Sequence, residues 1–150
     1  MPQQYKRIIA AVDGSYESEL AVEKAINVAL RNDAELLLTH VIDAHAYSGE
    51  AVFSDYVFDR QEQETKEVLA YYEKMAQDRG LTKIKKIIDI GNPKVLLAKD
   101  IPDREQADLI MVGATGLNTF ERLLIGSSSE YVLRHAKIDL LVVRDSHKTF

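Results

Sequence analysis

Cysteine is absent from the 150 residues, which removes disulfides, thiolate metal centres and a thiol nucleophile together. An excess of basic charge is also missing: 24 acidic residues stand against 19 basic ones, a formal net charge of −5. Nucleic acid or an anionic membrane would require a clustered basic face, so neither is an expected partner. No apolar run is long enough for a membrane span or a signal sequence. The earliest, Ile8 to Val12 behind MPQQYKR, is far too short for either. Low-complexity tracts, internal repeats and Pro/Gly/Ser linkers are missing as well, so residues 1–150 are expected to form one domain. What remains is an ordinary globular balance, 46% hydrophobic and 29% charged. A chain of this length buries about 68–70% of its unfolded surface, enough for a full core. The expectation is a soluble, cytoplasmic, single-domain protein.

Five β-rich runs stand out: Arg7–Val12, Glu35–Ile42, Ile84–Ile90, Leu109–Val112 and Leu140–Val143. Most are continuous apolar stretches, the pattern of strands covered on both faces. Helical periods lie between them. Ser15 is placed to cap the first helix, with Glu17 and Glu19 in a turn where the dipole favours negative charge. Ala21, Val22, Ala25, Ile26, Ala29 and Leu30 then form its buried stripe. The second helix carries Thr65, Val68, Leu69, Tyr72, Met75 and Ala76, and ends near Arg79 ahead of Gly80. Asn92-Pro93 announces a third helix, a cap with proline at its first position, which Pro102 is expected to close. The fourth runs from the serines at 127–129 to about His135. This βαβαβαβαβ order predicts an α/β fold, a doubly wound five-stranded parallel sheet with strand order 2-1-3-4-5 or 3-2-1-4-5. Either order places a ligand crevice at the C-terminal strand ends beside strand 1. Asp43–Phe58 is too long for a plain connection, and loops of that length commonly serve function.

The chemically informative stretch follows strand 4. Gly113-Ala114-Thr115-Gly116 precedes nine residues and then Gly126-Ser127-Ser128-Ser129. Glycine lets backbone N–H groups approach a phosphate closely. A helix opening at the serines adds unpaired N–H groups and a positive dipole end. No G-x-x-x-x-G-K-[ST] loop occurs, and no lysine lies between Gly113 and Ser129. No lysine is therefore placed to stabilise charge on a transferring phosphoryl group. The loop is built to hold phosphates more than to cleave them.

The spacing Gly113-x2-Gly116-x9-Gly126-Ser127 resembles the nucleotide motif of the universal stress protein family, in its ATP-binding branch. The surrounding Ala107–Arg144, the opening Lys6–Ser18 and the strand Leu36–Asp43 are similar to that family as well. The resemblance implies a Rossmann-like sheet of order 3-2-1-4-5. It also implies ATP as ligand, with Mg²⁺ or Mn²⁺ carried by the phosphates and hydrolysis slow or absent. Position by position, Asp13, with Val12 before it, would bond the ribose, and backbone groups of Val41 would read the adenine edge. Gly113 would approach the ribose; Gly116, Gly126, Ser127 and the backbone of Ser128 would hold phosphates. No catalytic residue and no dedicated metal ligand is implied. The final strand, 140–143, would pair across a homodimer, and its apolar edge invites such pairing.

Other candidates read as structural. His40, His45, His135 and His147 are scattered and lack an H-E-x-x-H pattern for zinc. Ser15 has no nucleophile elbow. The basic run at Lys83, Lys85 and Lys86 is read as a solvated edge. Two rivals share the βα alternation: a universal stress protein that binds no ATP, and a receiver-like phosphoacceptor domain using Asp89, Thr115 and Arg144. A third, an adenylyl-transferring enzyme, would need an S-G-G-x-D-S loop that the chain lacks.

Overall fold

Strands with apolar residues at consecutive positions need cover on both faces, and the helices provide it. A computed structural model describes residues 4–44, 55–114 and 127–144. Its strands are β1 (Arg7–Ala11), β2 (Glu35–Asp43), β3 (Ile84–Gly91), β4 (Leu109–Gly113) and β5 (Asp139–Val143). Between them run α1 (Tyr16–Asn32), α2 (Asp55–Asp78), α3 (Pro93–Val95), α4 (Ile101–Glu105) and α5 (Ser127–His135). The five strands form one parallel sheet in the order β3-β2-β1-β4-β5. Of the two orders open to the sequence pattern, this is 3-2-1-4-5.

Alternate strand residues feed two cores. Ile8, Ala10, Leu36, Leu38 and Met111 meet Ala21, Val22, Ala25 and Ile26 of α1 and Leu69 and Tyr72 of α2. Ile9, Leu37, Ile87 and Ile110 turn the other way, toward Leu97, Ala98, Ile101 and Val132. Burying one such side chain contributes about 1.5–3 kcal/mol, so each layer depends on the pattern above it. Leu30 and Val68 depart from their expected stripes, each 40% exposed. Each lies about 100° around its helix from a neighbour that the sheet covers, Ala29 or Leu69.

Helix starts follow the expected capping. The Ser15 side chain accepts from the Ser18 N–H at 3.1 Å, and that of Asn92 accepts from the Lys94 N–H at 3.1 Å. Pro102, however, does not close the third helical segment. The chain passes through a π-helical turn at Leu96–Asp100 and continues as α4 to Glu105. In that turn Ile101 N–H donates to Leu96 O, a wider loop that tolerates the missing donor and bulky ring of Pro102. The long connection is also shorter than expected, because α2 already begins at Asp55; residues 45–54 lie outside the described residues.

The amino ends of the strands are joined by charge. Arg7 on β1 pairs with Glu35 on β2 and reaches Glu105 at 3.3 Å. Lys85 on β3 meets the same Glu105 carboxylate at 2.7 Å. Arg104 grips Asp89 of β3 through two bonds of 3.0 and 3.2 Å. The hydrogen bond from Lys85 holds the Glu105 carboxyl below its ordinary range, with Arg104 assisting against the opposing effect of burial. Bonding to Asp89 raises the Arg104 guanidinium above its ordinary value.

Candidate functional site

In the order 3-2-1-4-5, β1 and β4 are neighbours whose following segments leave the sheet on opposite sides, and a crevice opens past their C-terminal ends. A cavity of about 250 Å³ fills it. Val12 and Asp13 border it after β1, Thr39, Val41 and Asp43 along β2, and Gly113 on β4, while Ser129 of α5 closes one side. Pro93 and Leu97 add an apolar wall from the segment beyond β3. The fold therefore brings Val12, Asp13, Val41 and Gly113 to one place. Gly116 and Gly126 lie outside the described residues. Ser127 and Ser128 form the opening of α5.

Asp13 is exposed and stands at the mouth of a tight turn. Its Oδ1 accepts from the Ser15 N–H at 2.9 Å, and its own N–H donates to Ser18 Oγ at 3.4 Å. Gly14 takes φ +85° between them, a conformation that favours glycine. Capping of α1 thus belongs to Ser15, and Asp13 fastens the turn that precedes it. Among the described residues Oδ2 of Asp13 accepts no hydrogen bond, so one carboxylate oxygen can serve a hydroxyl.

Val41 offers backbone rather than side-chain chemistry. Backbone groups alternate sides along a strand, and those of Leu36 reach β3 through its N–H to Lys83 O at 2.8 Å. Those of Val41, an odd number of residues on, face β1. But β1 has ended by then: the final backbone rung is Val12 N–H to Thr39 O at 2.8 Å. The N–H and C=O of Val41 consequently face the cavity.

Gly113 has a packing reason that its sequence context does not reveal. A Cβ there would sit 2.7 Å from the carbonyl carbon of Glu17 and 2.8 Å from its Cβ. Only glycine lets the first turn of α1 lie this close to the end of β4. On the same residue, the Gly113 carbonyl accepts from Ser129 Oγ at 3.0 Å, which ties the first turn of α5 to the cavity. Ser129, 6% exposed, was hidden in the sequence as the last of three serines. His40 was missed differently, being read only as a failed zinc ligand. It borders the cavity, and its Nδ1–H donates to Val12 O at 2.5 Å.

Among the described residues, no lysine or arginine lines the cavity, and no group of three or more His, Asp or Glu could hold a metal ion. Carboxylates and backbone amides suit hydroxyls and a polar ring edge. An anionic ligand group would depend on N–H donors at the opening of α5. The phosphoacceptor alternative loses its geometry. Asp89 lies on the edge strand, with β2 between it and β1, and Arg104 already engages both its oxygens.

A model of the universal stress protein family matches residues 4–144. The chain belongs to the universal stress protein family. A Staphylococcus haemolyticus protein carrying the universal stress protein name is 41% identical over 140 residues, covering 93% of this chain and 85% of that protein. The solved universal stress protein UspA of Lactobacillus plantarum superposes with a TM-score of 0.85 at 28% identity, covering 95% of this chain and all of that one (100%). A universal stress protein solved in complex with cAMP matches with a TM-score of 0.67 at 27% identity, over 94% of this chain and 98% of the other. In this universal stress protein the cavity lies at the β1–β4 switch point, where open α/β sheets receive ligands. No helix among the described residues is long and apolar enough to cross a membrane.

Proposed function

We propose that this universal stress protein is a cytoplasmic, single-domain regulatory module that binds ATP and hydrolyses it slowly or not at all. One observation carries the reading: Val12, Asp13, Val41 and Gly113 border a single cavity that Ser129 of α5 closes. In this reading Asp13 Oδ2 takes a ribose hydroxyl, and the backbone of Val41 takes the adenine edge. The phosphates lie toward Gly116, Gly126, Ser127 and Ser128, where backbone N–H groups and the α5 dipole supply positive potential. That the relative bound to cAMP holds an adenine nucleotide supports the ligand class. Mg²⁺ or Mn²⁺ would accompany the phosphates, which are its natural ligands when the protein offers no carboxylate cage. Among the described residues the lining offers no lysine to stabilise a transferring phosphoryl group, which favours holding ATP over cleaving it.

Calorimetric titration with ATP and Mg²⁺ tests this directly. The expected outcome is saturable 1:1 binding that weakens at least tenfold in Asp13→Ala, since a charged hydrogen bond contributes about 1.5–3 kcal/mol. Gly116→Val should abolish binding. A wild-type chain that binds no ATP overturns the proposal; binding that survives the valine moves the phosphates away from this loop.

A further inference from the structure

At the cavity, one polar contact departs from regular sheet bonding. The β1–β2 ladder pairs Ala11 with Thr39, and Val12 N–H donates to Thr39 O at 2.8 Å. In a parallel ladder the following rung would be Val41 N–H to Val12 O. That acceptor is taken instead by a side chain, for Nδ1 of His40 lies 2.5 Å from Val12 O. A carbonyl only accepts, so Nδ1 carries the proton in this bond. The ring also borders a second cavity, of about 190 Å³, which Gln61, Glu64 and Thr65 of α2 line with Asp13. His40 thus stands between α2 and the end of β1 while its neighbour Val41 faces the ligand crevice.

We infer that His40 is a positioning residue for the base of the ligand: by occupying the Val12 carbonyl it ends the β1–β2 ladder one rung early and keeps the Val41 N–H and C=O open to the cavity. The inference rests on the nucleotide reading above and adds its selectivity. A backbone N–H beside the C=O of the same residue complements an edge with a ring acceptor next to an exocyclic amine. Adenine presents that edge. Guanine seated in the same orientation presents its ring N–H to the N–H and its carbonyl to the C=O, so the same pair of groups opposes it. His40 touches neither base; it acts through Val12.

His40→Leu and His40→Asn separate this role from a structural one, because asparagine Nδ2 occupies the place of Nδ1 and can still donate to Val12. Two measurements apply: amide hydrogen exchange at Val41 in the nucleotide-free chain, and calorimetric affinities for ATP and GTP. The wild type and the asparagine variant should exchange Val41 rapidly and keep their preference for ATP. His40→Leu should slow that exchange, as the rung closes onto Val12, and lose about tenfold in ATP affinity with a smaller loss for GTP, the effect of one hydrogen bond to the base. Identical Val41 exchange in wild type and leucine variant overturns the inference, as do equal losses for ATP and GTP in both variants. If the wild type binds neither nucleotide, the ligand reading fails, and the exchange contrast alone still decides whether His40 holds the rung open.

Discussion

Gly113 lies where β4 passes beneath the first turn of α1, and that contact explains the glycine without any ligand. A methyl group would enter the space of the Glu17 backbone at 2.7 Å. The obstacle is main chain, which cannot rotate aside, so Gly113→Ala should force α1 outward and cost about 1–3 kcal/mol. Urea denaturation in the absence of nucleotide measures it. An unchanged midpoint would mean that α1 shifts freely. At this scale the sequence was only partly legible. Ser15 and Asn92 were identifiable as caps because capping depends on neighbours in the chain. His40, Ser129 and the packing role of Gly113 depend on residues 28, 16 and 96 positions away, which no local pattern encodes.

Charged side chains lock α4 to the amino ends of β1 and β3, and pH should reveal it. Glu105 bonds Lys85 and Arg104 and lies beside Arg7, and its carboxyl is held below the ordinary value of 4.5. A lowered native pKa means that the unfolded chain takes up the proton first as pH falls. The stabilisation is therefore complete above about 4.5 and is lost as pH drops through the lower native value. Denaturant unfolding of wild type and Glu105→Gln between pH 6 and about 3 should give curves that converge toward the acid end. A constant gap would remove the charge explanation. At the alkaline end burial pushes the Tyr72 phenol up from 10.0 to about 12, so α2 should loosen over that interval as the unfolded chain ionises first. Helix identity, and the starts capped by Ser15 and Asn92, were readable from capping and period; the start of α2 at Asp55 was not. The passage of the third helical segment beyond Pro102 was not, because the π turn that accommodates it belongs to packing of Leu97, Ala98 and Ile101 under the sheet.

At the scale of the whole molecule, the sheet has two edges at which strand pairing can extend. The edges are β3 and β5. Lys85 and Lys86 project from β3 and are engaged by Glu105 and Glu73, the kind of charge that guards an edge against pairing. Strand β5 has no charged residue between Asp139 and Arg144, and Leu140, Leu141 and Val142 are only half-buried. We propose β5 as the homodimer edge. Light scattering should give a dimer for the wild type and a monomer for Val142→Asp; an unchanged mass discards this interface. By itself the sequence determined the α/β alternation, the two-sided burial of the strands and the glycine–serine spacing, since each is written in neighbouring residues or short periods. The strand order was narrowed to two possibilities, and the crevice was placed beside β1 in both. Only the tertiary structure decided that the β1–β2 ladder stops at Val12 against a histidine side chain, that Val41 turns its backbone into the crevice, and that Asp89 is carried to the far edge. Those outcomes depend on which distant strands become neighbours, and the long-range packing of α1, α2 and α5 chooses them.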